Sequence, residues 1–288
     1  MLAGCAGAPD PERFIQDFGL QPNVGALYEL ESGGRVVGWL YGSVHYGTAQ
    51  RPSMSPAAAR ALAQTRHLYF EVLTKADQSR WMGSVVPADL HSAAAIKRGS
   101  VTAERAGEAA RALKEAERAS DGVAAVVPTA ASYYENLALI HNYCGAFVEY
   151  GTERLALALA ASSNITLHAL ETEESRREAL KRADEAACKP PPRGKPPSAP
   201  APGPASAGFC KQLLHEVQRD QREDRPYAVT RTQACVLDSR HRTMAASIAE
   251  AVEAGRQPFI IVGRGHLARG QNLIELIEAR GIRVRRVE

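Results

Sequence analysis

Two short segments, GSVH at residues 42–45 and GRGH at residues 263–266, each place a histidine three residues after a glycine. Each also closes an apolar run, WLY in the first case and FIIV in the second, that reads as a strand. In open α/β sheets functional groups gather outside the carboxyl ends of parallel strands, so His45 and His266 could converge on one point. Glu71, near the end of HLYFEVL, and Glu171, closing ITLHALE, stand at matching places. Two imidazoles with one or two carboxylates suit a divalent metal that activates water. A single G-x-x-H carries little weight, because histidine is often a structural hydrogen-bonder. Two of them, both following strands, carry more.

The second segment has a competing reading. Gly263, Gly265 and Ala268 fit the G-x-G-x-x-G/A dinucleotide fingerprint, and Glu288 follows at the distance that motif asks. A dinucleotide fold, however, carries its fingerprint early, because further strands must follow to build the site. Only one helix and one strand fit after this turn. No Lys-Ser/Thr pair follows the glycines, so it is no P-loop either. The glycines are expected to shape a sharp turn that aims His266.

The elements that position these groups follow from patterning. NVGALYELESGGRVVGWL, residues 23–40, reads as a hairpin around Ser32-Gly33-Gly34, whose second strand runs on to His45. Pro56 to Gln64 reads as a helix and His67 to Leu73 as a strand, a β-α-β pattern consistent with parallel pairing. Residues 76–160 form a mainly helical insertion. In it Ala103 to Ala119 is a peripheral helix rich in strong helix formers, and Ala130 to Ala161 supplies one or two more. Ile165 to Leu170 is a short strand. Residues 189–208, KPPPRGKPPSAPAPGPASAG, can be neither helix nor central strand, since proline lacks an amide donor and fixes φ. They read as a solvated spacer. Phe209 to Arg222 is an amphipathic helix and Thr230 to Gly255 a second long one. Pro258 to Val262 is a buried strand, His266 to Arg280 a helix and Ile282 to Val287 a last strand. The expected fold is α/β: a central mixed, largely parallel sheet flanked by helices. It forms a single domain over residues 23–288, behind an N-terminal tail of residues 1–22.

Composition limits the partners. With 45% hydrophobic and 23% charged residues, the 288-residue chain can bury a sizeable core. A net charge of +3 with 6% aromatic residues offers no basic-aromatic surface for nucleic acid. No apolar run reaches the roughly 20 residues that cross a bilayer. Leu2-Ala3-Gly4-Cys5 resembles the tetrapeptide at which lipoproteins are cleaved before a lipidated cysteine. The expectation is export to the periplasm or envelope with a membrane tether at Cys5, and a cytoplasmic place if a signal segment is absent. Cys144, Cys188, Cys210 and Cys235 allow three pairings. A Cys188–Cys210 bond would staple the proline-rich loop; four separate thiols are the alternative.

With both turns in view, the sequence resembles the TraB/GumN family, the group that includes the TIKI-type peptidases. The resemblance rests on Gly42-Ser43-Val44-His45, Tyr69-Phe70-Glu71-Val72, Tyr150-Gly151-Thr152-Glu153, Leu170-Glu171-Thr172, Ser239-Arg240-His241-Arg242 and Val262-Gly263-Arg264-Gly265-His266-Leu267, in order, and on the terminal GIRVRRVE. It implies an α/β fold shared with erythromycin-esterase-like and haem-binding ChaN-like proteins. It also implies a metal-dependent hydrolase, a peptidase above all, acting on a peptide or other small substrate. Carried over, His45, Glu71 and His266 are metal ligands or acid/base groups for a divalent ion such as Mn, Co or Zn. Arg240 neutralises a carboxylate or stabilises a developing oxyanion. Glu171 is a ligand or orienting group. The family's Asn after the arginine is His241 here, and the proline-rich segment has no counterpart.

Each residue also has a plainer reading. Glu71 could be an ion-pair partner of Arg240, Arg240 could balance Asp238, and Glu171 could favour a helix N-terminus. His168 packs on its strand, while His67, His91, His141 and His215 carry no pattern. The alternative function is a non-catalytic ligand or haem carrier on the same fold.

Overall fold

The computed structural model describes residues 10–73, 94, 97, 99–119, 131–161, 165–181, 207–222, 231–267 and 273–288. Strands β1 (Ala26–Ser32) and β2 (Arg35–Ser43) form the expected hairpin. Its turn residues Gly33 and Gly34 have φ of 57° and 73°. Positive φ at both positions matches the twist of the paired strands, and glycine reaches it without a Cβ clash. β3 (His67–Phe70), β4 (Thr166–Ala169), β5 (Phe259–Gly263) and β6 (Arg283–Arg286) complete a six-stranded sheet ordered β4-β3-β5-β2-β1-β6. The first four strands in that order pair in parallel, and β1 joins β2 and β6 antiparallel. The fold is thus α/β with a mixed, mostly parallel sheet and flanking helices.

β2 and β3 do run parallel, but they are not neighbours. β5 lies between them, with Phe259 opposite both Trp39 and Leu68. Its run Phe259-Ile260-Ile261-Val262 is buried throughout, which suits a central strand covered on both faces. Side chains alternate across a strand. Phe259 and Ile261 therefore enter one core, with Leu68, Phe70 and Tyr41. Ile260 and Val262 enter the other, with Leu40 and Tyr69.

The first core is covered by α1 (Pro11–Phe18), α2 (Pro56–Ala63) and α5 (Thr152–Ala161), the second by α8 (Arg231–Glu253) and α9 (Leu273–Glu278). α1 corrects the expected N-terminal tail. Asp10 caps it by accepting from the Glu12 and Arg13 amides, and Phe14 and Phe18, one turn apart, are buried. Residues 1–9, with Cys5, lie outside the described residues. So does most of the proline-rich loop.

Within the helical insertion, α3 (Ala103–Ala119) packs against α4 (Ala131–Tyr143) and α7 (Ala207–Arg222) through Ala109, Leu113, Ile140 and Phe209. α6 (Glu173–Lys181) follows β4. A disulfide joins Cys144, just past α4, to Cys210 in the first turn of α7. The expected Cys188–Cys210 staple is therefore not formed. Packing of Leu139, Tyr143 and Phe209 in one cluster brings the two Cα atoms to 5.0 Å, within disulfide reach. Cys235 is also disulfide-bonded. The helix expected from His266 to Arg280 is shorter. A 3-10 turn at Arg264–Leu267 comes first and buries His266 and Leu267, and the helix spans Leu273–Glu278. None of the described helices is long and apolar enough to cross a membrane.

Candidate functional site

Parallel strands share a direction, so β4, β3, β5 and β2 deliver Glu171, Glu71, His266 and His45 to the same end of the sheet. Into this edge α8 inserts Arg240. Its Nη2 donates to Glu71 Oε2 at 2.7 Å, and its Nε donates to Glu171 Oε1 at 2.8 Å. Nη2 also bonds Glu171 Oε1. Burial works against the guanidinium charge, but Glu71 and Glu171 more than restore it and raise its pKa. Glu71 Oε1 accepts from the Gly263 amide and lies 3.3 Å from His266 Nε2. Burial pushes the Glu71 carboxyl up; His266, Arg240 and the Gly263 N–H outweigh it and hold the group well below the usual carboxylate range. On its other side, His266 Nδ1 meets His241 Nε2 at 2.7 Å, both residues buried.

Gly263 also makes room for a carboxylate. Neither Gly42 nor Gly263 is left-handed. A Cβ on Gly263 would stand 3.1 Å from Glu71 Oε1, so the missing side chain admits the carboxylate to the amide.

His45 sits beside this network with a partner of its own. Its Nδ1 is 2.8 Å from Glu153 Oε1, and its side chain is 68% exposed. Glu153 comes from the first turn of α5. The His45 loop is strapped to that turn. The Thr152 amide donates to the Val44 carbonyl at 3.0 Å, and the Val44 amide donates to Thr152 Oγ1 at 3.1 Å. A Cβ on Gly151 would stand 2.1 Å from the His45 carbonyl oxygen, so only glycine allows this approach. The Glu153 charge raises His45 to about 9, with Glu71 adding to the rise. Burial pushes Glu153 up, but His45 leaves it below its ordinary value.

Residues 208–286 match the model of the TraB/PrgY/gumN family. This match supports the TraB/GumN assignment. It spans α8, β5 and the His266 turn, and leaves His45, Glu71, Glu153 and Glu171 outside it. No curated protein and no solved structure gives a significant match.

Of the residues expected at the site, Glu71, Glu171, Arg240 and His266 form one bonded network, and His45 stands next to it. Arg240 does not balance Asp238, which instead bonds Arg242 at 2.9 Å along the helix. Sequence reasoning passed over Glu153, although YGTE was one of the segments that carried the resemblance. It also left His241 open between an extra ligand, a compensating donor and a surface residue; the structure buries it against His266. His67 and His168, read as patternless and packing, meet across β3 and β4 at 3.0 Å, with His168 stacked on Tyr69.

The expected metal ligands do not present a common set of donors. Both Glu71 oxygens accept from protein groups, both His266 nitrogens face protein partners, and His45 Nδ1 faces Glu153. Among the described residues no group of three or more His, Cys, Asp or Glu side chains is disposed to hold a metal ion. The Arg240 guanidinium already neutralises the carboxylates a cation would need. As placed, His45, Glu71 and His266 do not fit a divalent ion.

Proposed function

We propose that this TraB/GumN chain is a hydrolase of peptides or other small substrates, working through His45 held by Glu153. The observation that carries this reading is the dyad: an exposed imidazole whose Nδ1 is bonded to a half-buried carboxylate, beyond the end of a parallel strand. Such a carboxylate orients the ring, stabilises the imidazolium and leaves Nε2 to reach the substrate. With its pKa raised to about 9, His45 enters the reaction at neutral pH as the cation. In that state it protonates a leaving group or steadies an oxyanion. Arg240 has its Nε and Nη2 committed to Glu71 and Glu171, so it acts by keeping those carboxylates charged behind the imidazolium. Export, with a tether at Cys5, belongs to the same proposal and is supported by the Cys144–Cys210 disulfide, a bond that persists in oxidising compartments.

The test is hydrolysis of p-nitrophenyl acetate and a fluorogenic peptide library by the purified chain, His45→Ala and Glu153→Gln, with metal content measured in parallel. Turnover that falls about 100-fold or more in His45→Ala and survives chelation is expected. Full activity in His45→Ala would refute the reading. Activity lost with a stoichiometric ion on chelation would put a metal hydrolase in its place. An inactive chain with a Soret band on haem titration would favour the carrier.

A further inference from the structure

His67 and His168 lie outside the Glu71–Arg240–His266 network and take no part in the hydrolase reading. His67 opens β3, four residues and roughly 13 Å of strand before Glu71. We propose that His67 Nδ1 and His168 Nε2 together bind a divalent first-row transition ion of the zinc class, with water completing the ion's shell.

The pairing of β3 with β4 brings the two rings together. The strands run parallel, with His67 opposite Thr166 and Tyr69 opposite His168. Alternation along each strand sends these four side chains to one face. There Nδ1 of His67 and Nε2 of His168 meet at 3.0 Å. At a metal–nitrogen distance of about 2.0–2.1 Å, two donors on one ion stand about 2.9 Å apart at a right angle and about 3.3 Å apart at the tetrahedral angle. The observed separation falls between the two.

The surroundings fix both residues. The His168 ring lies on Tyr69, with centroids 4.4 Å apart and planes within 15°. Tyr69 is held in turn by Arg256, whose Nη1 donates to its Oη at 2.9 Å. The His67 amide donates to Thr65 Oγ1 at 3.1 Å, and that hydroxyl donates to the Gln257 carbonyl at 2.6 Å. Donors mounted on paired strands and braced in this way are held closely enough to chelate.

As they stand, the two nitrogens share a hydrogen bond, which needs one ring as donor and the other as acceptor. An ion needs a lone pair from each. The donor ring provides one by moving its proton, through exchange with water, to its other nitrogen. Neither His67 Nε2 nor His168 Nδ1 meets a protein group among the described residues, so either can carry it. Burial lowers the pKa of both imidazoles, which favours the neutral rings a metal requires. Arg256 opposes a second cation, but its guanidinium faces solvent, where charge is screened. An ion here would clamp the edge strand β4 to β3. Those two strands continue into the Leu170 N–H to Phe70 carbonyl and Glu171 N–H to Glu71 carbonyl bonds, at 2.8 and 3.0 Å.

The test is calorimetric titration of the metal-free full chain with ZnCl2, with the melting temperature and the imidazole nitrogen NMR signals followed in parallel. One ion should bind, raise the melting temperature and shift the His67 Nδ1 and His168 Nε2 signals together. His168→Phe keeps a ring on Tyr69 but offers no nitrogen, and His67→Gln removes the other donor. Each should weaken binding roughly tenfold or more, the least that losing even an outer-shell partner costs. Each should also lose the thermal shift with zinc while keeping the zinc-free melting temperature. Arg256→Gln should bind roughly twofold to fivefold more tightly, the range for an exposed charge. His45→Ala should bind zinc as the wild type does. A wild-type chain that takes up no zinc overturns the proposal. So does undiminished affinity in both His67→Gln and His168→Phe, or binding lost in His45→Ala. Zinc uptake is read without substrate, so a failure of the hydrolase reading leaves this result unchanged.

Discussion

Replacing Arg240 with methionine removes the cation that Glu71 and Glu171 share, and the structure sets the size of the effect. Glu171, its side chain 1% exposed, would keep no hydrogen-bonding partner among the described residues. Glu71 would keep the Gly263 amide and His266. Removing one partner of a buried ion pair costs about 3–5 kcal/mol, because the remaining charge stays desolvated. Against a total stability of about 5–15 kcal/mol that is a large share. For a chain of this length it corresponds to a fall in melting temperature on the order of 10 °C. The loss should depend on pH with a definite sign. The Glu71 carboxyl is depressed in the folded wild type. Its stabilisation is therefore present above the unfolded value of about 4.3 and is lost as pH falls through the lower folded value. In Arg240→Met the Glu71 carboxyl loses one of the charges that depress it and takes up a proton more readily, so the gap between variant and wild type narrows on acidification. Urea denaturation followed by circular dichroism at pH 7 and pH 4 measures both. Arg240→Lys keeps the charge but not the fork, and should fall between the two. A gap below about 1 kcal/mol at pH 7, or one that does not shrink at pH 4, would refute the view that this guanidinium compensates buried charge.

Three further outcomes are expected. Glu153→Gln should bring His45 down from about 9 toward the ordinary value near 6.5, as read by NMR titration of the ring. Replacing Cys144 and Cys210 together by serine opens a closure of 66 residues, worth about 4 kcal/mol by loop entropy. The shift in the urea midpoint checks it. Gly151→Ala would set a methyl 2.1 Å from the His45 carbonyl oxygen and force the strapped loop apart. A loss of about 1–3 kcal/mol is expected, with the His45 pKa falling as its ring leaves Glu153.

Much of the fold is readable in local pattern. The Gly33-Gly34 turn, the helix at Ala103–Ala119 and the buried run at β5 each announce themselves within a few residues. So do the strand ends that carry His45, Glu71, Glu171 and His266, because a strand that stops at a turn exposes its last side chains. The expected tail hid α1, whose signals were two phenylalanines one turn apart after an Asp-Pro cap. Glu153 was visible only as part of a motif, because its partner lies across the chain. The stacking of His141 on Tyr46 offered no signal, since only the fold brings the two rings together.

What this sequence determined by itself is the class of the elements and the chemistry carried at their ends, for periodicity, caps and turn residues act over one or two turns of chain. Tertiary structure alone decided that β5 enters between β2 and β3, that Cys144 reaches Cys210, and which group each site residue bonds. Arg240 lies 69 residues from Glu171 and 169 from Glu71 along the chain. Such a pairing forms only once strand order and helix placement bring buried opposite charges together, and the cost of leaving either one unpaired then holds it.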